Sequence, residues 1–401
     1  MNKKRNIGWK PNYKLQFSPF FSEPFNLIKV FKYIFYYPGL ILPWNLIFLL
    51  ISSLLFYFLT PDIKNFNTFS FEIFLILFIR NLLLIILIWG LLHFLLYKLK
   101  IQNTDYKYNA EFPSSKNKAF LFKSQTYDNV FLTIFSGVPI WTGYEYLAFY
   151  CFSNNFFHTV SLFSNPIYSL FLIILFIPIF HELHFYIVHR LIHIKSIYKY
   201  VHYVHHKNIN PGPWSGLAMH PIEHILYFSG ILIFLVIPSH PLLVVFYIIR
   251  ASIGPALTHS GFDKILLKNN KYLEAGHYQH YLHHKYFNCN FGDIIIPIDK
   301  WFGTFNDGSI GLNNTELSTD HRQTIDRRGK IFNVDDGIKT ITLQITNTTT
   351  LIGAVTDSTF QTQFGELFYI KSRSDSGTPT STSSEQQQQK PLALFLNWIY
   401  F

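Results

Sequence analysis

Fifteen of the chain's 18 histidines lie between His181 and His284, in a sequence otherwise rich in apolar residues. They fall in clusters. His189-Arg-Leu-Ile-His193 sets two imidazoles four residues apart, and His202-Tyr-Val-His205-His206 is echoed by His280-Tyr-Leu-His283-His284. On a helix, positions i, i+3 and i+4 share a face with Cβ atoms roughly 5 to 6 Å apart. Each cluster can therefore aim several nitrogens at one point, as a metal site requires. Eight imidazoles exceed what one ion uses, since zinc sites close at about four ligands, so two metals are the simpler account. His259, in Thr258-His-Ser-Gly-Phe, is expected to join the set of His189, His193, His202, His205, His206, His280, His283 and His284. His277, His220 and His224 are left open.

Blander readings exist for each group. An isolated His189/His193 pair would read as helix-end residues at headgroup level; three clusters of matching geometry tell against it. His181 and His184 are expected to be interfacial. Glu182, seven residues before His189, either orients a ligating imidazole or is an uncommitted interfacial acid. His220-Pro-Ile-Glu-His224 can be written His-x-x-Glu-His, the inverted zinc-peptidase pattern. Such a site needs a water-accessible helix and a third ligand, and the segment sits between two stronger clusters, so a peptidase is disfavoured.

These residues must be held in or against a membrane. The chain has 401 residues, 49% hydrophobic and only 14% charged, too apolar for an ordinary soluble protein of this length. Four spans are expected, at residues 39–60, 72–97, 130–152 and 165–188, each near the roughly 20 apolar residues that cross a bilayer; the third is interrupted by Pro139 and Glu145. The first is read as a retained anchor, since it begins too far from the N-terminus for a usual signal peptide. His93, Arg80 and Asn81, inside the second span, should face the bundle and pair there. Cys151 and Cys289 sit in unrelated contexts and support neither a disulfide framework nor a cysteine-ligated metal.

Lysines crowd the N-terminal segment and the second connection, whereas the first connection holds only Lys64 and the third has no Lys or Arg. The positive-inside rule then predicts a cytosolic N-terminus, four crossings and cytosolic histidine clusters. The formal net charge of +10 reads as this topology signal plus attraction to anionic lipid, not as nucleic-acid binding. Residues 225–250 form a further apolar stretch, and a single crossing there would part the clusters. Pro238-Ser-His-Pro241 is expected to break it into a re-entrant helical hairpin whose halves are too short to span. The fold class is thus an all-α integral membrane protein with a cytosolic helical cap carrying a dimetal site. Its divisions are an anchor over residues 1–128, a catalytic domain over 129–305 and a polar tail over 306–401.

With these motifs in place, the chain resembles the fatty acid hydroxylase superfamily from about Phe185 to Thr304. The three histidine clusters are similar to the family's three boxes. The flanking elements Ala218-Met-His220-Pro-Ile-Glu223, His259-Ser-Gly-Phe-Asp263, Asn290-Phe-Gly292 and Asp299-Lys-Trp-Phe-Gly303-Thr also match it. The superfamily comprises membrane di-iron enzymes, among them sterol C5-desaturase, C4-methylsterol oxidase and sphingolipid hydroxylases. Box spacing and the His-Pro-Ile-Glu element are similar to sterol desaturases, and the His-Ser-Gly-Phe-Asp stretch to C4-methylsterol oxidases; sphingolipid and fatty-acid hydroxylases tend to have a longer first box.

The resemblance implies two iron ions held by the histidines, dioxygen as co-substrate, and hydroxylation or desaturation of a lipid, a sterol being favoured. No residue beyond the metal ligands is assigned a catalytic role. The chain shows no Gly-x-Gly-x-x-Gly fingerprint, so electrons are expected from an external carrier, by family likeness cytochrome b5 with its NAD(P)H reductase in the endoplasmic reticulum membrane. Alternatives are a fatty acid or sphingolipid hydroxylase, and a catalytically silent metal-binding membrane protein. Beyond about Phe305 the sequence turns polar and Thr-rich, with glutamines at 386–389, and is expected to be disordered. The closing residues 391–401 are too short to span, and Asn313 and Asn347 open Asn-x-Thr sequences kept unglycosylated by the cytosolic topology.

Overall fold

Long apolar runs fold here as helices, the one open-ended conformation that satisfies its own amides and carbonyls away from water. The computed structural model describes residues 8–113 and 116–309, together with two short strands farther on. The chain divides into two units, Met1–Phe332 and Asn333–Phe401. In the second unit strands Ser358–Gln361 and Leu367–Ile370 pair antiparallel. The glutamine run, Asn313, Asn347 and residues 391–401 lie outside the described residues.

The first unit begins with helix α1 (Leu27–Phe35), capped by the Asn26 side chain accepting from Lys29 N–H, followed by α2 (Trp44–Leu59) and α3 (Phe71–His93). α3 runs on through one π turn to Lys98. Helices α4 (Gln125–Leu132) and α5 (Val138–Ser153) are joined by the π turn Thr133–Gly137, and α6 (Pro166–Phe171) and α7 (Ile177–Ile192) by Leu172–Phe176. Then come the short α8 (Lys195–Tyr198) and α9 (Tyr203–His206), α10 (Pro221–Phe228) with a 3₁₀ extension to Leu235, α11 (Pro241–Ile253), α12 (Pro255–Thr258), α13 (Tyr278–Tyr286) and α14 (Ile298–Trp301).

Three of these helices are long and apolar enough to cross a membrane: Phe71–Lys98, Pro166–Ile192 and Pro241–Thr258. That differs from the expected four. Residues 39–43 stay outside α2, where Pro43 precedes the first helical residue. The remaining 16 residues make a rod of about 24 Å, short of the roughly 30 Å hydrocarbon core. The expected span at 130–152 lies within α4 and α5, whose inner face carries Asp128, Asn129, Thr133, Ser136, Thr142 and Glu145; this is a polar-threaded core helix, not an apolar span. The stretch 225–250 does break at residues 236–240, and its halves fold back on one another: Tyr227 Oη donates to Ala251 O at 2.8 Å and the rings of Phe234 and Tyr247 lie 6.0 Å apart. Its second half, however, is not too short to span, because α11 continues past Gly254 into α12.

α11 is the centre of the core. Some 78% of Pro241–Thr258 is buried, against 22% and 33% of the apolar 18-residue stretches within Phe71–Lys98 and Pro166–Ile192, so the latter two are the helices with surface to offer lipid. α11 packs against α2, α3, α5 and α7, and Trp89, Trp141, Phe149 and Phe246 fill the space between them. Arg80 and Asn81 face inward as anticipated. Arg80 pairs with Glu145 at 2.5 Å and donates to Thr60 Oγ1 at 2.7 Å, while Asn81 Nδ2 donates to Glu145 Oε2 at 2.9 Å. His93 stacks on Tyr97, with ring centroids 5.3 Å apart.

The unit is mostly helical rather than all-α. Strands β1 (Lys264–Leu266) and β2 (Tyr272–Glu274) form an antiparallel hairpin with Lys264 opposite Glu274. Its turn holds Asn269 at φ 60°, a left-handed position that asparagine tolerates well. The hairpin links α12 to α13 and thereby sets His259 against the third histidine cluster.

Candidate metal centre

Four segments deliver the histidines. The end of α7 supplies His189 and its C-cap His193; α9 and its preceding residue supply His202, His205 and His206; the residue closing α12 is His259; α13 supplies His280, His283 and His284. Helical geometry divides each of the last two clusters. Residues four apart lie about 40° from one another around the axis, but adjacent residues lie about 100° apart. Accordingly His202 and His206 turn one way and His205 the other, while His280 and His284 part from His283.

The nine expected residues meet in two groups. His189, His193, His202, His206 and His283 form one, and His205, His259, His280 and His284 the other, each with its candidate ligand nitrogens within 4.8 Å of one another. Eight of the nine are buried and His193 is half-buried. The groups abut: ring centroids are 5.3 Å apart for His202 and His205, and 5.9 Å for His283 and His284.

Outer contacts fix the rings. His189 Nδ1 donates to Phe291 O at 2.7 Å, His283 Nδ1 to Cys289 O at 2.7 Å and His259 Nδ1 to Pro255 O at 2.9 Å. A carbonyl oxygen only accepts, so the proton of each neutral ring sits on Nδ1 and the Nε2 lone pair faces inward. His202 Nδ1 meets Glu223 Oε1 at 2.8 Å in the same manner. The loop behind His259 needs its glycine: Gly261 has φ +78°, and a Cβ there would come within 2.5 Å of Tyr97 Oη. That hydroxyl lies 2.8 Å from both Pro211 O and Ser260 O, its one proton shared between them, tying the second cluster's loop to the His259 turn.

The inward nitrogens suit metal ions. His259 Nε2 lies 3.3 Å from His205 Nε2, 2.9 Å from His280 Nε2 and 3.0 Å from His284 Nε2. In the other group His206 Nε2 is 3.1 Å from the Nε2 atoms of both His193 and His283. With its proton on Nδ1, His259 presents a lone pair to three neighbours, an arrangement that hydrogen bonding alone does not satisfy. Ligands about 2.1 Å from a shared ion, at right angles, stand about 3 Å apart. His202 Nε2 is buried without a hydrogen-bond partner among the described residues. Burial, reinforced by the neighbouring imidazoles, holds His193, His202, His205, His206, His280 and His284 well below the usual histidine range. Burial brings His259 down to about 3. Neutral imidazole is the form that ligates.

Other expectations change. Glu182 neither orients an imidazole nor stands uncommitted: its carboxylate accepts from Ile295 N–H at 2.9 Å and Ile296 N–H at 2.8 Å. His184 contacts Ser229 Oγ at 3.1 Å and His181 lines a cavity inside the bundle. His277 pairs with Asp293 at 2.5 Å and joins neither group. Burial alone would lower this imidazole, but the Asp293 carboxylate more than offsets that and raises it. His220 caps α10 by accepting from Ile222 N–H at 3.2 Å, and His224 lies 2.9 Å from Ser136 Oγ. The peptidase-like letters thus make no peptidase site, and Glu223 serves His202 instead. That role had a visible signal, a glutamate 17 residues after a histidine pair, but no spacing rule connects them across a loop. Glu223→Gln is expected to weaken metal retention about 10- to 100-fold, the usual cost of losing a ligand's outer partner, as read by chelator competition.

Comparison with known proteins agrees with the geometry. Residues 173–304 match the fatty acid hydroxylase family. The chain is 36% identical over 136 residues to a Delta(7)-sterol 5(6)-desaturase of Gibberella zeae, covering 31% of this chain and 39% of that one. It is 34% identical over 126 residues to methylsterol monooxygenase 1 of Gallus gallus, covering 30% and 41%, and 29% identical over 148 residues to a Delta(7)-sterol 5(6)-desaturase of Aspergillus fumigatus, covering 31% and 45%. The chain thus spans about two fifths of the length of these relatives. No solved structure matches it significantly. The three histidine clusters, in order and folded into two abutting groups, lie wholly within residues 173–304, the stretch that matches the fatty acid hydroxylase family, and the chain is similar to sterol desaturases and methylsterol monooxygenases.

Proposed function

We propose that this protein is a membrane oxidoreductase that uses dioxygen to hydroxylate or desaturate a sterol, in the manner its relatives' names describe. The observation that carries the reading is the pair of abutting histidine groups, of which His189, His202, His205, His259 and His280 line a mainly apolar cavity. His189, His193, His202, His206 and His283 would hold one iron, and His205, His259, His280 and His284 the other. When bound, the irons supply oxygen activation, for which imidazole is a suitable donor. The chain's own contribution is positional. Carbonyl and carboxylate partners lock the imidazoles, and Phe48, Phe185, Val188 and Leu257 along the cavity exclude water and hold the lipid against the histidines.

The cytosolic face of the endoplasmic reticulum membrane is the proposed setting, with residues 1–128 as the anchor, 129–305 as the catalytic domain and 306–401 as the polar tail. In this placement the 225–250 stretch dips into the bilayer and returns. Electrons would come from a cytochrome b5-type carrier reduced by an NAD(P)H reductase. The exposed Arg190 and Lys199 near the histidine groups support docking of an acidic partner.

The test joins metal analysis to lipid profiling. Detergent-purified protein should carry two irons per chain, and cells lacking it should accumulate a C5-saturated or C4-methylated sterol. No bound metal together with an unchanged lipid profile would overturn the reading in favour of a catalytically silent membrane protein. Accumulation of an unmodified fatty acid or sphingolipid would move the substrate to the family's other branch.

A further inference from the structure

The cavity that reaches the histidine groups has a second polar wall. His189, His205, His259 and His280 line one part of it, while His181, Arg250 and Asn45 line another. His181 precedes His189 on α7 by eight residues, a little over two turns, so the two polar walls are separated by apolar surface.

Arg250 is the unusual member. It is a cation in the central apolar helix of a membrane protein, a costly placement that marks function. Its surroundings leave donor capacity free. Nη1 donates to Asn45 Oδ1, Nε is buried without a partner, and among the described residues no carboxylate lies within 4.0 Å of the guanidinium. The three acids of the same cavity are engaged elsewhere, Glu182 by the amides of Ile295 and Ile296, Glu223 by His202, and Asp293 by His277. His181 Nδ1 is a second buried nitrogen without a partner. Two buried nitrogens without partners, on residues that line one cavity, match a hydrogen-bonding oxygen that arrives with a ligand, because an unpaired buried polar group is otherwise destabilising.

We propose that Arg250, with His181, binds a hydrogen-bond-accepting oxygen of the lipid, a hydroxyl or a carboxylate, and thereby sets which carbon faces the histidines. The proposal rests on the lipid-oxidising reading of this cavity and adds to it a recognition site. Arg250 is here a specificity residue that touches substrate. A counter-ion role toward Glu182 and Asp293 alone would make the protein indifferent to the ligand's oxygen.

Binding to the metal-loaded protein in nanodiscs decides between these, using two ligand pairs: a 3β-hydroxysterol against its 3-deoxy analogue, and an 18-carbon fatty acid against the matching hydrocarbon. The wild type should prefer the oxygenated member of one pair at least about 10-fold, or about 1.4 kcal/mol; which pair shows it identifies the hydroxyl or the carboxylate as the source of the oxygen. Arg250→Met should abolish that preference by weakening only the oxygenated ligand, and Arg250→Lys should keep part of it. The proposal is overturned if the wild type shows no preference in either pair, or if Arg250→Met weakens both members equally or leaves the preference intact. Should Arg250→Met fail to fold, the wild-type comparison and Arg250→Lys still decide. Oxygen preference without any lipid oxidation would sink the catalytic reading and leave the anchor standing, whereas oxidation without preference would remove the anchor alone.

Discussion

Replacing His259 by alanine is expected to halve the metal content of the purified protein and to reduce lipid turnover by more than about 100-fold, the upper end of what losing a mere outer-sphere partner costs. The expectation comes from His259's place in its group, where its Nε2 is within 3.3 Å of the Nε2 atoms of His205, His280 and His284. Removing it opens one coordination position and leaves three imidazoles that no longer share a centre. The other group, built from His189, His193, His202, His206 and His283, should keep its ion. His283→Ala is the converse, emptying that group first. Mass-spectrometric metal content alongside product analysis checks both; retention of two metals and near-normal turnover in His259→Ala would make this histidine structural.

The largest effect on stability is expected at Arg80. Its guanidinium meets Glu145 at 2.5 Å, with side chains 6% and 0% exposed, and it also donates to Thr60 Oγ1 and Asn81 Oδ1. Desolvating the pair is costly, so its net worth against apolar replacements is small, but removing one partner strands the other. Arg80→Leu should therefore destabilise the protein by about 3 to 5 kcal/mol, whereas Arg80→Leu combined with Glu145→Leu should recover much of that loss. Reversible unfolding in detergent measures both. A single-variant cost below about 1 kcal/mol would show that water reaches Glu145, as in exposed pairs. Additive costs in the double variant would instead place the stabilisation in packing.

The same pair shows how sequence and structure divide the description. Arg80 and Asn81 in an apolar run had to face the bundle, but Glu145 interrupted another run and weakened it as a span. The two anomalies are one feature, since each supplies the partner that the other requires. Likewise Glu182 shares a helical face with His189, yet its carboxylate is taken by the amides of Ile295 and Ile296, over a hundred residues later in the chain. Local spacing gives the face on which a side chain lies and is silent about what arrives there from elsewhere.

The sequence by itself determined the helical membrane character, the nine histidines and the expectation that they serve two centres, because hydropathy and i, i+4 spacing are local properties of a helix. It also carried the family likeness, through three clusters in fixed order. Only the tertiary structure decided how the nine divide, with the second and third clusters each split between both groups. It also decided that Glu223 belongs to His202 and His277 to Asp293, and that Arg250 faces the cavity. Those outcomes depend on contacts between residues distant along the chain. Such contacts are set by how α7, α9, α12 and α13 come together in the fold, and hydrophobic packing favours burial without naming the partner.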